Sequence, residues 1–168
     1  SGDTAEDMLD QADDYIQINP NITVKVPCTV EGLKACAALA EDEIPVNVTL
    51  IFSVAQAILA AKAGAKYVSP FVGRCNDNSF SGVELIRAIA QTYSVHNVDT
   101  NILAASLRDV HHVSRCFMYG AQVVTMPPKI FWKMYDHILT KDGLAQFNED
   151  WTEVLESIKT QEIEPYHD

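Results

Sequence analysis

Ile22-Thr23-Val24-Lys25-Val26-Pro27 sets a lysine inside a run of β-branched residues that a proline ends. Such a run reads as a buried parallel strand. Side chains alternate along a strand, so in a closed barrel of such strands Val24 and Val26 face the surrounding helices and Lys25 faces the interior. An ammonium group is costly there: bringing a lysine from about 10.4 to roughly 7–8 takes about 3.5–5 kcal/mol of differential destabilisation. The neutral amine so produced attacks carbonyl carbon and yields a Schiff base. A lysine at a strand end also snorkels to solvent or pairs with a carboxylate, and the stretch alone leaves these readings open.

On the N-terminal side, Ser1-Gly2 reads as an appended scar or a native loop, and Asp3-Thr4-Ala5-Glu6-Asp7 as an N-cap with an acidic first turn. Met8, Leu9, Ala12, Tyr15 and Ile16 then recur at helical spacing until Asn19-Pro20-Asn21. On the C-terminal side, Cys28-Thr29 open a helix to about Ala40, Val46 to Ile51 form a strand, and Phe52-Ser53 begin a helix that Gly64 ends. Lys66 to Val72 read as a strand, since the proline of Ser69-Pro70 is tolerated at a strand end. Arg74 to Gly82 reads as a polar loop, Val83 to Tyr93 as a helix, Asn101 to Ala105 as a strand, and Val110 to Tyr119 as a helix ended by Gly120. Gln122 to Met126 is the last strand. Pro127-Pro128 launch a helix from Ile130 towards Leu139, Leu144 to Ile158 read as an amphipathic closing helix, and Gln161 to Asp168 as a frayed tail.

Ala63-Gly64-Ala65-Lys66-Tyr67-Val68-Ser69-Pro70 and Tyr119-Gly120-Ala121-Gln122-Val123-Val124-Thr125-Met126-Pro127 are weak internal repeats, each a helix end, a Gly-Ala turn and a strand. Strict alternation of strand and helix implies an α/β fold with a parallel sheet and right-handed crossovers. Five strands are legible, whereas a closed (β/α) barrel has eight and typically about 250 residues. The expectation is therefore an open sheet, or an incomplete TIM barrel whose first strands are absent from this chain.

The 168 residues suit one domain, and 48% hydrophobic content is enough for a core. A formal charge of -11 with few, scattered Lys and Arg argues against nucleic-acid or anionic-membrane surfaces. No apolar run approaches 18 residues and the N-terminus is acidic, which reads as a soluble, cytoplasmic protein. Cys28, Cys36, Cys75 and Cys116 form no C-x-x-C pair and read as reduced thiols.

Polar residues interrupt the apolar strands near their C-terminal ends, the rim where such folds bind ligands. Asn47 and Thr49 share a parity on the second strand, as do Ser69 and Phe71 on the third, with Arg74 just beyond; Ser106 and Arg108 end the fourth. Two arginines and a serine hydroxyl suit a phosphate dianion. The plainer alternative pairs Arg74 and Arg108 with carboxylates such as Asp77 and Asp109. His111-His112 point about 100° apart on a helix and lack a third ligand at metal spacing. Trp132, Phe147 and Trp151 read as packing residues of the late helices.

At Lys25-Val26-Pro27-Cys28-Thr29-Val30-Glu31-Gly32-Leu33 the sequence resembles the Schiff-base strand of the transaldolase family, which includes the fructose-6-phosphate aldolases. The resemblance continues through Asn47-Val48-Thr49-Leu50-Ile51-Phe52-Ser53-Val54-Ala55-Gln56, Ser69-Pro70-Phe71-Val72-Gly73-Arg74 and Ala104-Ala105-Ser106-Leu107-Arg108, and takes in Phe147 to Trp151. It implies an eight-stranded TIM barrel and a transfer of a dihydroxyacetone unit from sedoheptulose 7-phosphate or fructose 6-phosphate to an aldose phosphate, a reaction of the pentose phosphate pathway with no separate cofactor or metal. By this resemblance Lys25 is the nucleophile, and Thr49 helps hold a proton-shuttling water. Asn47 and Ser69 bind the dihydroxyacetone moiety, and Arg74, Ser106 and Arg108 grip the phosphate. Phe71 resembles the transferase type, since family members that release free dihydroxyacetone tend to carry tyrosine there.

The family also places an aspartate and an asparagine on its early strands and a glutamate or glutamine on its third, and the quoted motifs begin after all of them. Residues 1–168 are accordingly expected to be the C-terminal portion of one barrel domain. Completion would come from homo-oligomer formation or from association with the missing N-terminal barrel segment. Beside the transferase stand two alternatives, a fructose-6-phosphate aldolase and a catalytically silent sugar-phosphate-binding or assembly protein.

Overall fold

In a computed structural model, residues 4–161 are described. Ser1-Gly2, Asp3 and residues 162–168, on which the scar-or-loop reading and most of the frayed-tail reading fall, lie outside the described residues. In chain order the elements are α1 (Ala5–Ile16), β1 (Val24–Pro27), α2 (Val30–Glu41), β2 (Val46–Ile51), α3 (Val54–Lys62), β3 (Tyr67–Pro70) and α4 (Val72–Asp77). They continue with α5 (Gly82–Val95), β4 (Asn101–Ala104), α6 (Val110–Met118), β5 (Val123–Val124), α7 (Pro128–Lys133) and α8 (Ile138–Gln161). The strands form one parallel sheet in the order β1-β2-β3-β4-β5, each pairing with its neighbour in sequence. That order is what successive right-handed βα crossovers in one direction produce, a consecutive portion of a (β/α) barrel wall.

Helix starts follow local chemistry. Thr4 and Asp7 form a capping box on α1, and Thr29, Ser53, Ser81 and Asp109 each accept the backbone N–H three residues on, at the heads of α2, α3, α5 and α6. The two repeats close alike. Gly64 (φ 86°) and Gly120 (φ 102°) take the left-handed turn after α3 and α6, and a Cβ at either would stand 2.7 Å from the Ala40 methyl or 2.8 Å from that of Ala90. Each turn delivers its next strand to a neighbour: Lys66 N–H donates to Val46 O at 2.9 Å, and Gln122 N–H to Ile102 O at 3.1 Å.

Alternation along the strands separates two faces. Val26, Val46, Val48, Val68, Ile102 and Ala104 are buried in the core with Ala35, Leu39, Ile86 and Ile89 of the helices. The opposite parity carries Lys25, Asn47, Thr49, Tyr67 and Ser69.

Three expectations are corrected. Arg74 to Gly82 is not a loop throughout, because its first residues belong to α4 (Val72–Asp77). No side chain caps this helix; instead Val72 N–H donates to Ala105 O at 3.0 Å and Gly73 N–H to Ser106 O at 3.1 Å. Its first turn is satisfied by carbonyls more than thirty residues away, which no local signal records. The helix expected from Ile130 to Leu139 is broken: α7 ends at Lys133, and α8 runs from Ile138 past both ends of the expected closing helix. Phe147 and Trp151 are exposed rather than packed, and Trp132, though its ring meets those of Phe131 and Tyr135, is exposed as well.

The chain forms two compact units, Ser1–Ile130 and Phe131–Asp168. The first holds the sheet. In the second, the rings of Phe131, Trp132 and Tyr135 cluster with centroids 5.5–5.9 Å apart, ahead of the 24-residue α8.

Candidate active site

The register sets Lys25 beside Asn47, Asn47 beside Tyr67, and Pro27 beside Thr49, so the polar side chains of β1, β2 and β3 share one face. Ser69 is fully buried and donates its hydroxyl proton to Asn47 Oδ1 at 2.8 Å. That bond fixes the Asn47 amide. Thr49 Oγ1 is buried and has no hydrogen-bond partner among the described residues. A buried hydroxyl without a partner costs roughly 1–3 kcal/mol, so it marks a place where a water or ligand atom belongs. Lys25 is exposed on β1, so the described residues do not supply the shielding expected around it.

Backbone strain collects at the same strand ends. Leu50 (φ 60°) lies within the register shift between Val48 and Ile51, and Ser106 (φ 60°) lies two residues beyond the end of β4. The other non-glycine left-handed residues, Glu43, Ser79 and Asn97, follow helix C-caps. Leu50 and Ser106 have no such excuse. Each costs of order 1 kcal/mol or more and persists because its surroundings hold it. The insertion at Leu50 breaks the strand parity after Thr49, and Ile51 is fully buried in the core instead of extending the polar row.

At the rim, α4 brings its residues to the end of β4. A Cβ on Gly73 would stand 2.1 Å from Ser106 O, 2.9 Å from Ser106 Oγ and 3.0 Å from Arg108 Nε, so only glycine permits this approach. Arg108 makes a two-pronged bond with Asp77, Nη1 to Oδ1 at 2.5 Å and Nη2 to Oδ2 at 2.6 Å. Hydrogen bonding with Asp77, and then its charge, hold the guanidinium above its ordinary value. Arg74 lies over the Phe71 ring, 4.9 Å from its centroid, and has no carboxylate in ion-pair range among the described residues. Phe71 also contacts Phe52, with centroids 5.9 Å apart.

The carboxylate pairing considered for both arginines therefore holds for Arg108 with Asp77 and not for Arg74. Asp109 goes elsewhere: it caps α6 and meets His112 Nδ1 at 2.6 Å, while His112 Nε2 lies 3.3 Å from Asn76 Nδ2. Among the described residues no three His, Cys, Asp or Glu side chains converge as metal ligands.

An open groove of about 430 Å³ runs past this rim, lined by Ser106, Leu107, Arg108, Thr125, Met126 and Pro127. A larger cleft, about 1020 Å³, opens at the opposite end of the sheet by Lys66 and Thr100. Its buried polar side chains are already satisfied, Tyr93 Oη donating to Ala57 O and Thr100 Oγ1 to Ala65 O. Of the candidate site residues, Ser106 and Arg108 line the smaller groove. The sequence reading missed Gly73 and Leu50; a glycine directly before Arg74 was the one available signal, and Leu50 had none.

A family profile described as Transaldolase/Fructose-6-phosphate aldolase matches residues 1–164. The chain belongs to this family. Among curated transaldolase-family relatives, a protein named "Probable transaldolase" from Caulobacter vibrioides is 50% identical over 155 residues, covering 92% of this chain and 71% of that protein. One of the same name from Paracoccus denitrificans is 49% identical over 154 residues, with 92% and 71% covered. A third, from Geobacillus thermodenitrificans, is 46% identical over 147 residues, with 88% and 69% covered. The fold also matches a solved mandelate oxidase variant carrying a monooxide FMN adduct, with TM-score 0.55 at 17% identity. That match covers 73% of this chain and 44% of the oxidase, and it speaks to the fold alone. In this transaldolase-family chain the five sequential parallel strands are part of the TIM barrel. No described helix is long and apolar enough to cross a membrane.

Proposed function

We propose that this chain carries the nucleophile and phosphate grip of a transaldolase, moving a dihydroxyacetone unit from sedoheptulose 7-phosphate or fructose 6-phosphate to an aldose phosphate. The observation that carries the reading is the single polar row of Lys25, Asn47, Thr49 and Ser69, on a sheet whose rim brings Ser106 and Arg108 together against Gly73, the residue before Arg74. Lys25 attacks the ketose carbonyl, water leaves, and the resulting iminium accepts the electron pair released when the carbon–carbon bond breaks. The Asn47 amide, held by Ser69, orients the hydroxyls of the bound fragment. Thr49 Oγ1 holds the water that carries protons to and from it, which accounts for a buried hydroxyl without a partner among the described residues. The rim fixes the phosphate and so orients the reacting carbons.

Lys25 works as a neutral amine only when shielded. Protein packed over this face, from a further barrel segment or a second subunit, supplies that shielding and brings the acid–base carboxylates. Phe71 has no hydroxyl to activate a water for release of free dihydroxyacetone, which favours the transferase over the aldolase. The pathway and a cytoplasmic setting go with the same reading.

The test is intact mass after incubation with fructose 6-phosphate and borohydride, with peptide mapping. A stable adduct on Lys25 that Lys25→Ala abolishes is the expected result. Trapping retained in Lys25→Ala would sink the assignment, and absence of any adduct even with the covering barrel segment supplied would favour a silent sugar-phosphate-binding protein.

A further inference from the structure

We propose that Asp77 is a positioning residue for the phosphate site, presenting Arg108 to the anion. The inference rests on the phosphate reading of the rim given above. Asp77 ends α4, and its carboxylate takes the two terminal nitrogens of Arg108, Nη1 at 2.5 Å and Nη2 at 2.6 Å. A guanidinium has five N–H groups in a planar fork. The end-on bond uses the two that point away from Nε, and leaves Nε–H and the neighbouring N–H of Nη2 as a second two-pronged edge.

Nε is the nitrogen that lies against α4, 3.0 Å from the point a Cβ of Gly73 would occupy, with Ser106 Oγ 2.9 Å from the same point. The free edge of Arg108 and the Ser106 hydroxyl are thus neighbours at the wall of the Ser106–Pro127 groove. Gly73 and Asp77 are one helical turn apart on α4, so this short helix sets both the distance and the angle of the guanidinium. Arg74 has no such anchor among the described residues and rests on the Phe71 ring. One arginine is pre-set for a bidentate contact, and the other is left to close on the ligand.

Charge and geometry make opposite predictions here. Removing a carboxylate beside an anion site tightens anion binding if Asp77 acts only through its charge. It weakens binding if Asp77 acts by holding Arg108 in place.

The experiment uses the full chain with Asp77→Asn and Asp77→Glu, folding being checked by circular dichroism. Inorganic phosphate is titrated calorimetrically, and transfer kinetics are run to an aldose phosphate acceptor at fixed concentration from fructose 6-phosphate and from unphosphorylated fructose as donors. In Asp77→Asn we expect phosphate affinity to fall about tenfold and KM for fructose 6-phosphate to rise about tenfold, with kcat within about twofold and fructose unaffected. Asp77→Glu, which keeps a carboxylate, recovers part of the loss. Should the Asn variant not fold, an Asp77→Glu affinity between wild type and Arg108→Ala carries the same test. Unchanged or tighter phosphate binding in Asp77→Asn overturns the proposal, as does a wild-type chain that binds no phosphate. Failure of the Schiff-base reading shows instead as no borohydride adduct on Lys25, and the phosphate titration decides the role of Asp77 independently of it.

Discussion

The Gly73 N–H donates to the carbonyl oxygen of Ser106 at 3.1 Å, and that oxygen stands only 2.1 Å from where a Cβ on residue 73 would lie. The first turn of α4 is therefore seated on the end of β4 by a backbone contact that a single methyl group would break. Gly73→Ala is expected to lower stability by about 1–3 kcal/mol, because the clash is with backbone and cannot be relieved by a rotamer change. Urea denaturation reads the loss. KM for a phosphorylated ketose should rise in parallel, since Ser106 and Arg108 must shift; an unchanged midpoint and KM would show that the seat is not needed.

Thr49 separates function from stability. Thr49→Val replaces a buried hydroxyl that has no partner among the described residues with a methyl of similar size. Its stability is expected to be unchanged or higher by about 1 kcal/mol, because no hydrogen bond is lost and a desolvation cost disappears. The rate of dihydroxyacetone transfer is expected to fall by about 10²-fold if the hydroxyl holds a proton-carrying water. A destabilised variant with normal activity would contradict both expectations.

Ser69→Ala removes the donor to Asn47 Oδ1, a 2.8 Å bond in a fully buried setting. The amide oxygen then stays desolvated and unpaired, at a cost of about 1–3 kcal/mol. A double-mutant cycle with Asn47→Ala, read by denaturant unfolding, should show coupling of about 0.5 kcal/mol or more. Strict additivity would mean the bond contributes nothing.

Cys36 and Cys116 are fully buried, and burial pushes both thiols from 9.0 up to about 11. The folded state thus holds these protons more tightly than the unfolded chain. Their contribution is complete below about pH 9 and is lost as pH rises through about 11, on the order of 2 kcal/mol each. The urea midpoint should accordingly fall between pH 9 and 11, and in Cys36→Ser, Cys116→Ser that slope should flatten. Both thiols should resist alkylation at pH 8 in the native chain.

Much of the architecture was legible in the sequence because it depends on neighbours along the chain. The helix starts at Thr29 and Ser53, the Gly64 and Gly120 turns and the strand β2 all follow from residues within a few positions of one another. The shared face of Lys25, Asn47, Thr49 and Ser69 follows from strand parity, which is also local. What tertiary structure alone decided lies where distant segments meet. The start of α4 depends on carbonyls of Ala105 and Ser106, and Asp77 pairs with Arg108 rather than with Arg74 three residues away. The left-handed turn at Leu50 redirects Ile51 into the core. Such contacts depend on where the sheet brings segments thirty residues apart, and neither side-chain period nor local propensity carries that distance.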